Sequence, residues 1–357
     1  MRLHRCLILA IVATGAAPGA LRAAGLDPDA TPPRVMQPDL PAGVAVARVL
    51  LSFLNEIEAA WDGTVTDIDI EFLHDFRVAV RRSRSAVKLL GDVLPPALVA
   101  WATPQLRWLG DLSTPSRDLD VQLQELPSLT ARLISGRPED LEPLVLHLIR
   151  LRTRERRRLV RGLRSARFER LRARWRASLE ELATLDEQPC VGPTAAEVGV
   201  ERLARADRRV LRRGSRVTPA SPADDLHDLR KRCKELRYLL EIFTPVLDPA
   251  DARGAVKELK TLQDVLGTFQ DREAQREAIY ALATDMMARG AASARTILAM
   301  GEIAARLQED QRSSRAKYAD TFQQFAQLSV QRRMARLKRS DTVPSEAATT
   351  ASTGPVR

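Results

Sequence analysis

The sequence predicts an all-α fold in which two similar antiparallel helical bundles arise from an internal repeat. Three observations predict it. The stretch "LHDFRVAVRRSRSAVKLL" at 73–90 returns as "LHDLRKRCKELRYLLEIF" at 226–243. Apolar residues recur at helical spacing from residue 43 to 337, and no alternating strand pattern with hairpin turns interrupts them. Aromatic residues make up only 4% of the chain, while Leu, Ala, Arg and Glu dominate, a balance that favours helix over strand.

The repeat sets the organisation. His227 follows His74 by 153 residues, and the same offset pairs "GDVLPPA" (91–97) with "TPVLDPA" (244–250) without a gap. It also sets Leu106, Leu109, Asp111 and Asp118 on Leu259, Leu262, Asp264 and Asp271. Fourteen of the 49 positions 73–121 are identical to their mates, where chance would give about three. Two units this long do not make a solenoid; they imply two half-domains about a pseudo-twofold axis. The expected division is a leader and Pro-rich linker at 1–42, a first helical half at 43–190, a second at 191–337, and a polar tail at 338–357.

The helices follow in order. Periodicity predicts them at 43–61, 70–91, 97–112, 117–134, 140–185, 196–213, 223–244, 250–267, 270–289 and 291–337. Turn chemistry separates them: Pro95-Pro96, "STPS" at 113–116, "GRPED" at 136–140 and "TPASPADD" at 218–225. In the last of these, Ser221 or Asp224 is expected to cap the helix, with acids in its first turn. Short connections between long helices imply antiparallel packing.

The ends and the cysteines bear on location. Residues 1–25 have two arginines, an apolar run at Cys6–Ala13 and then small residues, the outline of a secretory signal. The run is short, and Pro18 and Arg22 interrupt the cleavage region. A cytoplasmic protein is therefore the expectation, with export through residues 1–24 as the alternative. Cys6, Cys190 and Cys233 are odd in number and lack metal-site spacing, which argues against a disulfide framework. No segment is apolar enough to span a bilayer.

Charge points to the ligand. A formal net charge of +10 makes polyanions the natural partners: nucleic acid, an anionic membrane or a phosphate polymer. At about 100° per residue, His74, Arg77, Arg81, Arg84 and Lys88 fall on one helical stripe. His227, Arg230, Lys234 and Arg237 form its counterpart, with Tyr238 beside it. Apolar positions flank both stripes. A solvated face would interleave acids with bases, and the first stripe holds none. Like charges crowded between apolar flanks cost energy unless an anion compensates. The competing expectation is structural, with the arginines paired to Asp111, Asp118, Asp264 and Asp271. Arg107 and Lys260 match across the repeat and add cations. The arginine-rich stretch 150–176 places Arg150, Arg154, Arg157 and Arg161 on one face. Guanidinium groups suit phosphate because they are planar, bidentate and always charged. A histidine among them is a neutral donor near pH 7, or a switch.

Both histidine motifs, together with "RDLDV" (117–121) and "LKTLQDVLG" (259–267), resemble the CHAD family, the conserved histidine α-helical domain, over about residues 43–337. The resemblance implies two pseudo-symmetric bundles around a basic central channel that binds inorganic polyphosphate. By motif position His74, Arg77, Arg81, Arg84, His227, Arg230, Lys231, Lys234 and Arg237 would line it. Ser83 departs from the leucine frequent in the family, and "STPSRDLDV" from a more glycine-like turn. Many such proteins carry an N-terminal CYTH domain. Its Glu-x-Glu-x-Lys signature is absent here, so a partner enzyme of phosphate metabolism encoded elsewhere is the expectation.

Two other functions compete. The His-Asp pairs at 74–75 and 227–228 are similar to those of metal-dependent HD phosphohydrolases, which would act on polyphosphate or nucleotides. Such a site needs further ligands, and His4 and His147 are the only spare histidines. A nucleic-acid binder would hold the backbone alone, without specific recognition, since stacking aromatics and a reading motif are lacking. No catalytic residue, metal or cofactor is implied.

Overall fold

The computed structural model describes residues 36–184, 192–247 and 249–327. Its helices are α1 (Ala42–Thr66), α2 (Ile70–Leu90), α3 (Pro96–Thr130), α4 (Glu142–Leu163), α5 (Ala166–Ala183), α6 (Ala195–Gly214), α7 (Ala223–Phe243), α8 (Pro249–Ala288) and α9 (Ala294–Phe325). Short 3-10 turns at Gly91–Val93, Pro138–Leu141 and Thr244–Val246 link them. The described residues are all-α. The proposed leader, Cys6, Cys190 and the tail lie outside them.

The bounds of α2 and its following turn recur 153 residues later as those of α7 and its turn. Two reciprocal pairs of contacts obey the same offset. The Ala42 N–H donates to the Pro193 carbonyl (3.0 Å) and the Ala195 N–H to the Leu40 carbonyl (2.8 Å), each bond the mate of the other. Lys88 bridges to Glu235 (2.7 Å) and Arg82 to Glu241 (3.9 Å). Glu235 stands 153 residues after Arg82, and Glu241 153 after Lys88. Such reciprocity is the mark of an isologous contact.

Several predicted boundaries are corrected. "STPS" does not break a helix: α3 runs through Pro104, Pro115 and Pro127. The hydroxyls of Ser113 and Thr114 bond back to the Leu109 and Gly110 carbonyls (2.9 and 2.7 Å) in the turn before Pro115. Likewise 250–267 and 270–289 form the single helix α8. The predicted 140–185 helix splits instead, where Ser165 caps α5 by accepting from the Phe168 N–H. Neither Ser221 nor Asp224 caps α7. Pro222 precedes its first residue, and Asp224 and Asp225 sit in its first turn.

Three apolar clusters hold the helices. The largest draws on α1, α2, α3 and α5 and equally on α6, α7 and α8, so the two halves share it. A second lies within the first half, around Phe76, Leu109, Leu159 and Phe168. The third joins the far ends of α3 and α4 to α8 and α9, around Leu129, Leu144, Met286 and Ile303. The halves thus meet along α1/α6 and α2/α7 and again at the distal end of α3 and α8. There Arg272 and Gln275 both donate to Glu125. The cationic stripes lie between these two meeting places.

At the outer edge of the second half, α6 and α9 approach closely. The Tyr318 hydroxyl donates to the Gly214 carbonyl (2.9 Å), and a Cβ at Gly214 would strike the Phe322 ring. Gly214→Val should therefore cost about 1–3 kcal/mol, read as a lower denaturation midpoint with an unchanged helical signal.

Candidate functional site: a cationic cluster between two histidine helices

Helix α2 begins cleanly because the Asp69 carboxylate accepts from the Glu71 N–H (3.0 Å). Its buried face of Leu73, Phe76, Ala79, Val80, Ala86 and Val87 packs inward, and the rest of the circumference carries the stripe. In α7, Leu226, Leu229, Cys233, Leu236 and Leu240 do the same. Burial pushes the Cys233 thiol up to about 12, so it stays an inert part of the core.

Each histidine is held by its neighbouring long helix, through positions that again match at 153. Arg117 of α3 reaches Nδ1 of His74 (3.1 Å) and also donates to the Ile70 carbonyl. Gln270 of α8 holds Nδ1 of His227 through its Oε1. Burial, and then the Arg117 charge, lower the His74 pKa below the ordinary histidine value, so this ring is neutral at pH 7.

The arginines one turn further on are anchored differently in the two halves. Arg77 donates to the Thr114 hydroxyl (2.6 Å) and the Ser113 hydroxyl (3.3 Å), polar groups that carry no charge. Its mate Arg230 bridges to Asp271 (3.1 Å). Arg84 crosses Gly110 so closely that a Cβ there would meet its guanidinium. Its mate Arg237 donates to Gln263 (3.3 Å) and to Glu241 (2.7 Å). Of the four aspartates expected to pair with the stripes, only Asp271 forms a bridge within 4 Å to a stripe residue, among the described residues.

At the centre, Arg81 comes from one half and Lys234 from the other. Neither has an ion-pair or hydrogen-bond partner among the described residues. Burial first, then the charges of Arg230 and Arg81, lower the Lys234 pKa to about 8. Tyr238 adjoins the same group: burial raises its phenol, and the charge of Arg81 opposes that rise. Arg107 of α3 and Lys260 of α8 are exposed on the helix faces that carry Thr114 and Asp118, and Gln263 and Asp271. They extend the cluster at its rim.

Other expected site residues fall elsewhere. Lys88 is spent on Glu235 in the contact between the halves, and Lys231 on Asp228 (3.3 Å). Arg154, Arg157 and Arg161 project from α4 on the side opposite its buried Leu148, Leu159 and Leu163. That buried face must meet the core, so the arginine face turns outward and does not join the cluster. Sequence reasoning missed Arg117 and Gln270 as partners of the histidines. The signal was available, since both stand 43 residues after their histidine. The His-Asp pairs do not gather metal ligands: no group of three or more His, Cys, Asp or Glu side chains forms a metal-binding set among the described residues.

Comparison with known proteins places this arrangement. Residues 48–280 match the CHAD domain. The chain belongs to the CHAD family. The Mycobacterium tuberculosis protein Rv2226 (strain H37Rv) is 29% identical over 221 residues, 61% of this chain and 41% of that protein. MT2285 of strain CDC 1551 is 28% identical over the same shares. This CHAD chain thus aligns with less than half the length of those relatives. In fold it is similar to the crystal structure of the CHAD domain from the plant Ricinus communis, with a TM-score of 0.61 at 24% identity, covering 85% of this chain and 94% of that one. It is also similar to PptA from Streptomyces chartreusis, with a TM-score of 0.62 at 17% identity, covering 79% and 99%.

The crowding at Lys234 has a measurable consequence. Its folded pKa, about 8, lies below the ordinary 10.5. Between those values the unfolded chain holds a proton that the folded chain has released, so stability should rise with pH across that window. Below pH 8 the burial of the charge is felt in full. Lys234→Met should be more stable than the wild type at pH 7, and the difference should shrink as pH approaches 10. Denaturation curves of both proteins at several pH values check this.

Proposed function

We propose that this CHAD protein is a non-catalytic binding module for inorganic polyphosphate. In this reading the polymer lies in a channel between the α2/α7 contact and the distal contact of α3 with α8. Arg77, Arg81, Arg84 and His74 hold it from one half, and Arg230, Lys234, Arg237 and His227 from the other. Arg117 orients His74, while Arg107 and Lys260 stand at the rim. The observation that carries the reading is the cluster of Arg81, Arg84 and Lys234 without a carboxylate partner among the described residues. A cluster of this kind is electrostatically incomplete. A chain of linked phosphates completes it, with one anion for each cation and oxygen acceptors for the guanidinium forks. Family membership supports the same ligand through the resemblance drawn from the motifs.

Several contacts in series make binding multivalent. Linked phosphates gain from effective concentration, so long chains should outcompete orthophosphate at equal total phosphate. Affinity should also fall with added salt, because each neutralised phosphate releases counterions. Arg81→Ala combined with Lys234→Ala should weaken polyphosphate binding on the order of a hundredfold, taking about 1.5–3 kcal/mol for each charge-assisted contact. The fold should remain intact, since neither side chain has an ion-pair or hydrogen-bond partner to lose among the described residues. Titration of the full chain with polyphosphates of several lengths, beside thermal melts of the variant, tests both points. Equal competition by orthophosphate, or unchanged affinity in the double variant, would overturn the assignment.

A further inference from the structure

The two histidines occupy equivalent positions but cannot carry their protons alike. A guanidinium has donors only. Arg117 therefore donates to Nδ1 of His74 (3.1 Å), and the proton of that neutral ring sits on Nε2. Gln270 presents its carbonyl oxygen to Nδ1 of His227, an acceptor only, so here Nδ1 carries the proton. The amide of Gln270 is fixed on its other side, where its Nε2 donates to the Glu273 carboxylate (3.3 Å). Exchanging its oxygen and nitrogen would lose that bond and set the amide oxygen against the Glu273 carboxylate. Neither histidine Nε2 is among the buried unpartnered atoms. Both ring edges are therefore open: His74 shows an N–H, and neutral His227 shows a lone pair.

A lone pair repels a phosphate oxygen. Building on the polyphosphate reading above, we propose that His74 meets the polymer as a neutral donor and His227 only as an imidazolium, so that binding draws one proton from solvent onto Nε2 of His227. The Nδ1 proton stays on His227, donated to Gln270 Oε1 throughout. Gln270 and Arg117 are the positioning residues that set the difference. The charged groups around His227 do not impose one sign. On its own helix Asp224 and Lys231 flank it, Arg230 is bridged to Asp271 of α8, and Asp228 is bridged to Arg213 of α6. Glu273 lies behind Gln270. The hydrogen-bond partner is what distinguishes His227 from His74.

The consequence is a pH-dependent grip. Uptake of one proton lets affinity rise by up to about tenfold for each unit of acidification. Two measurements on the full chain test the proposal. Nitrogen NMR of the ligand-free imidazoles, assigned with His74→Gln and His227→Gln, should show the Nε2–H tautomer at His74 and the Nδ1–H form at His227. The same tautomer at both would overturn the proposal. Calorimetric titration with long-chain polyphosphate at pH 7, in two buffers of different ionisation enthalpy, should show net proton uptake. Gln270→Arg rebuilds the His74 arrangement at His227 and should reduce that uptake by at least about half, while Lys234 contributes equally in both proteins. Undiminished uptake in Gln270→Arg would overturn the linkage. Absence of any polyphosphate binding would overturn the ligand reading and the linkage with it, and the NMR result would still decide the tautomers.

Discussion

The constraint on which this structure depends is that two cationic helices must meet face to face. A contact between related halves places each residue opposite the mate of another residue on the same stripe. Two identical stripes would therefore set cations against cations along the whole α2/α7 contact. The chain escapes by diverging at two positions. Where the first half has Arg82 and Lys88, the second has Glu235 and Glu241, and the offset brings Arg82 to Glu241 and Lys88 to Glu235. Lys88 is 69% exposed and Glu235 only 13%, so the bridge contributes more to the register of the two helices than to stability. Away from this clamp Arg230 is bridged to Asp271, while Arg77, Arg81, Arg84 and Lys234 have no carboxylate bridge among the described residues.

The same divergence explains how the flanking helices hold the stripes. In the first half, Ser113 and Thr114 give Arg77 hydroxyl acceptors and so leave its charge uncancelled. Their mates, Leu266 and Gly267, offer no side-chain acceptor, and Arg230 turns to Asp271 instead. The proline that follows Thr114 reads as a helix stop, yet the helix runs through it. The segment is thus a polar cradle built into a continuous helix.

Most of the fold was legible in the sequence because helical periodicity and the repeat are both strong, and the limits of α2 and α7 fall within a residue or so of expectation. The errors cluster at breaks. Pro115 reads as a stop by its intrinsic chemistry, which tertiary packing overrides. The 140–185 segment was read as one helix because its periodicity is continuous, and a single capping serine divides it. Within the site, the stripe residues were visible because helical geometry fixes which side chains share a face. The partners of the histidines lie on another helix, and the periodicity of one helix does not show what packs against it. Arg154, Arg157 and Arg161 misled for the converse reason: a shared face says nothing about which way that face turns until the opposite one is known to be buried.

The centre of the cluster shows why the halves are not simple copies. Position 81 is arginine, and its mate 234 is lysine. Two guanidiniums there would be charged at every relevant pH, and without an anion their repulsion could not be relieved. A lysine ammonium can lose its proton, and burial beside Arg230 and Arg81 lowers its pKa to about 8. The centre of the cluster therefore holds a group that can shed its charge. Gln270 stands where the first half has Arg117, so His227 has a neutral partner where His74 has a charged one. Both substitutions fall in the second half. The first half keeps fixed charge at the same two places, Arg81 and Arg117. One side of the cluster thus supplies permanent attraction and the other an adjustable one. That division lowers the cost of holding like charges together in the folded chain.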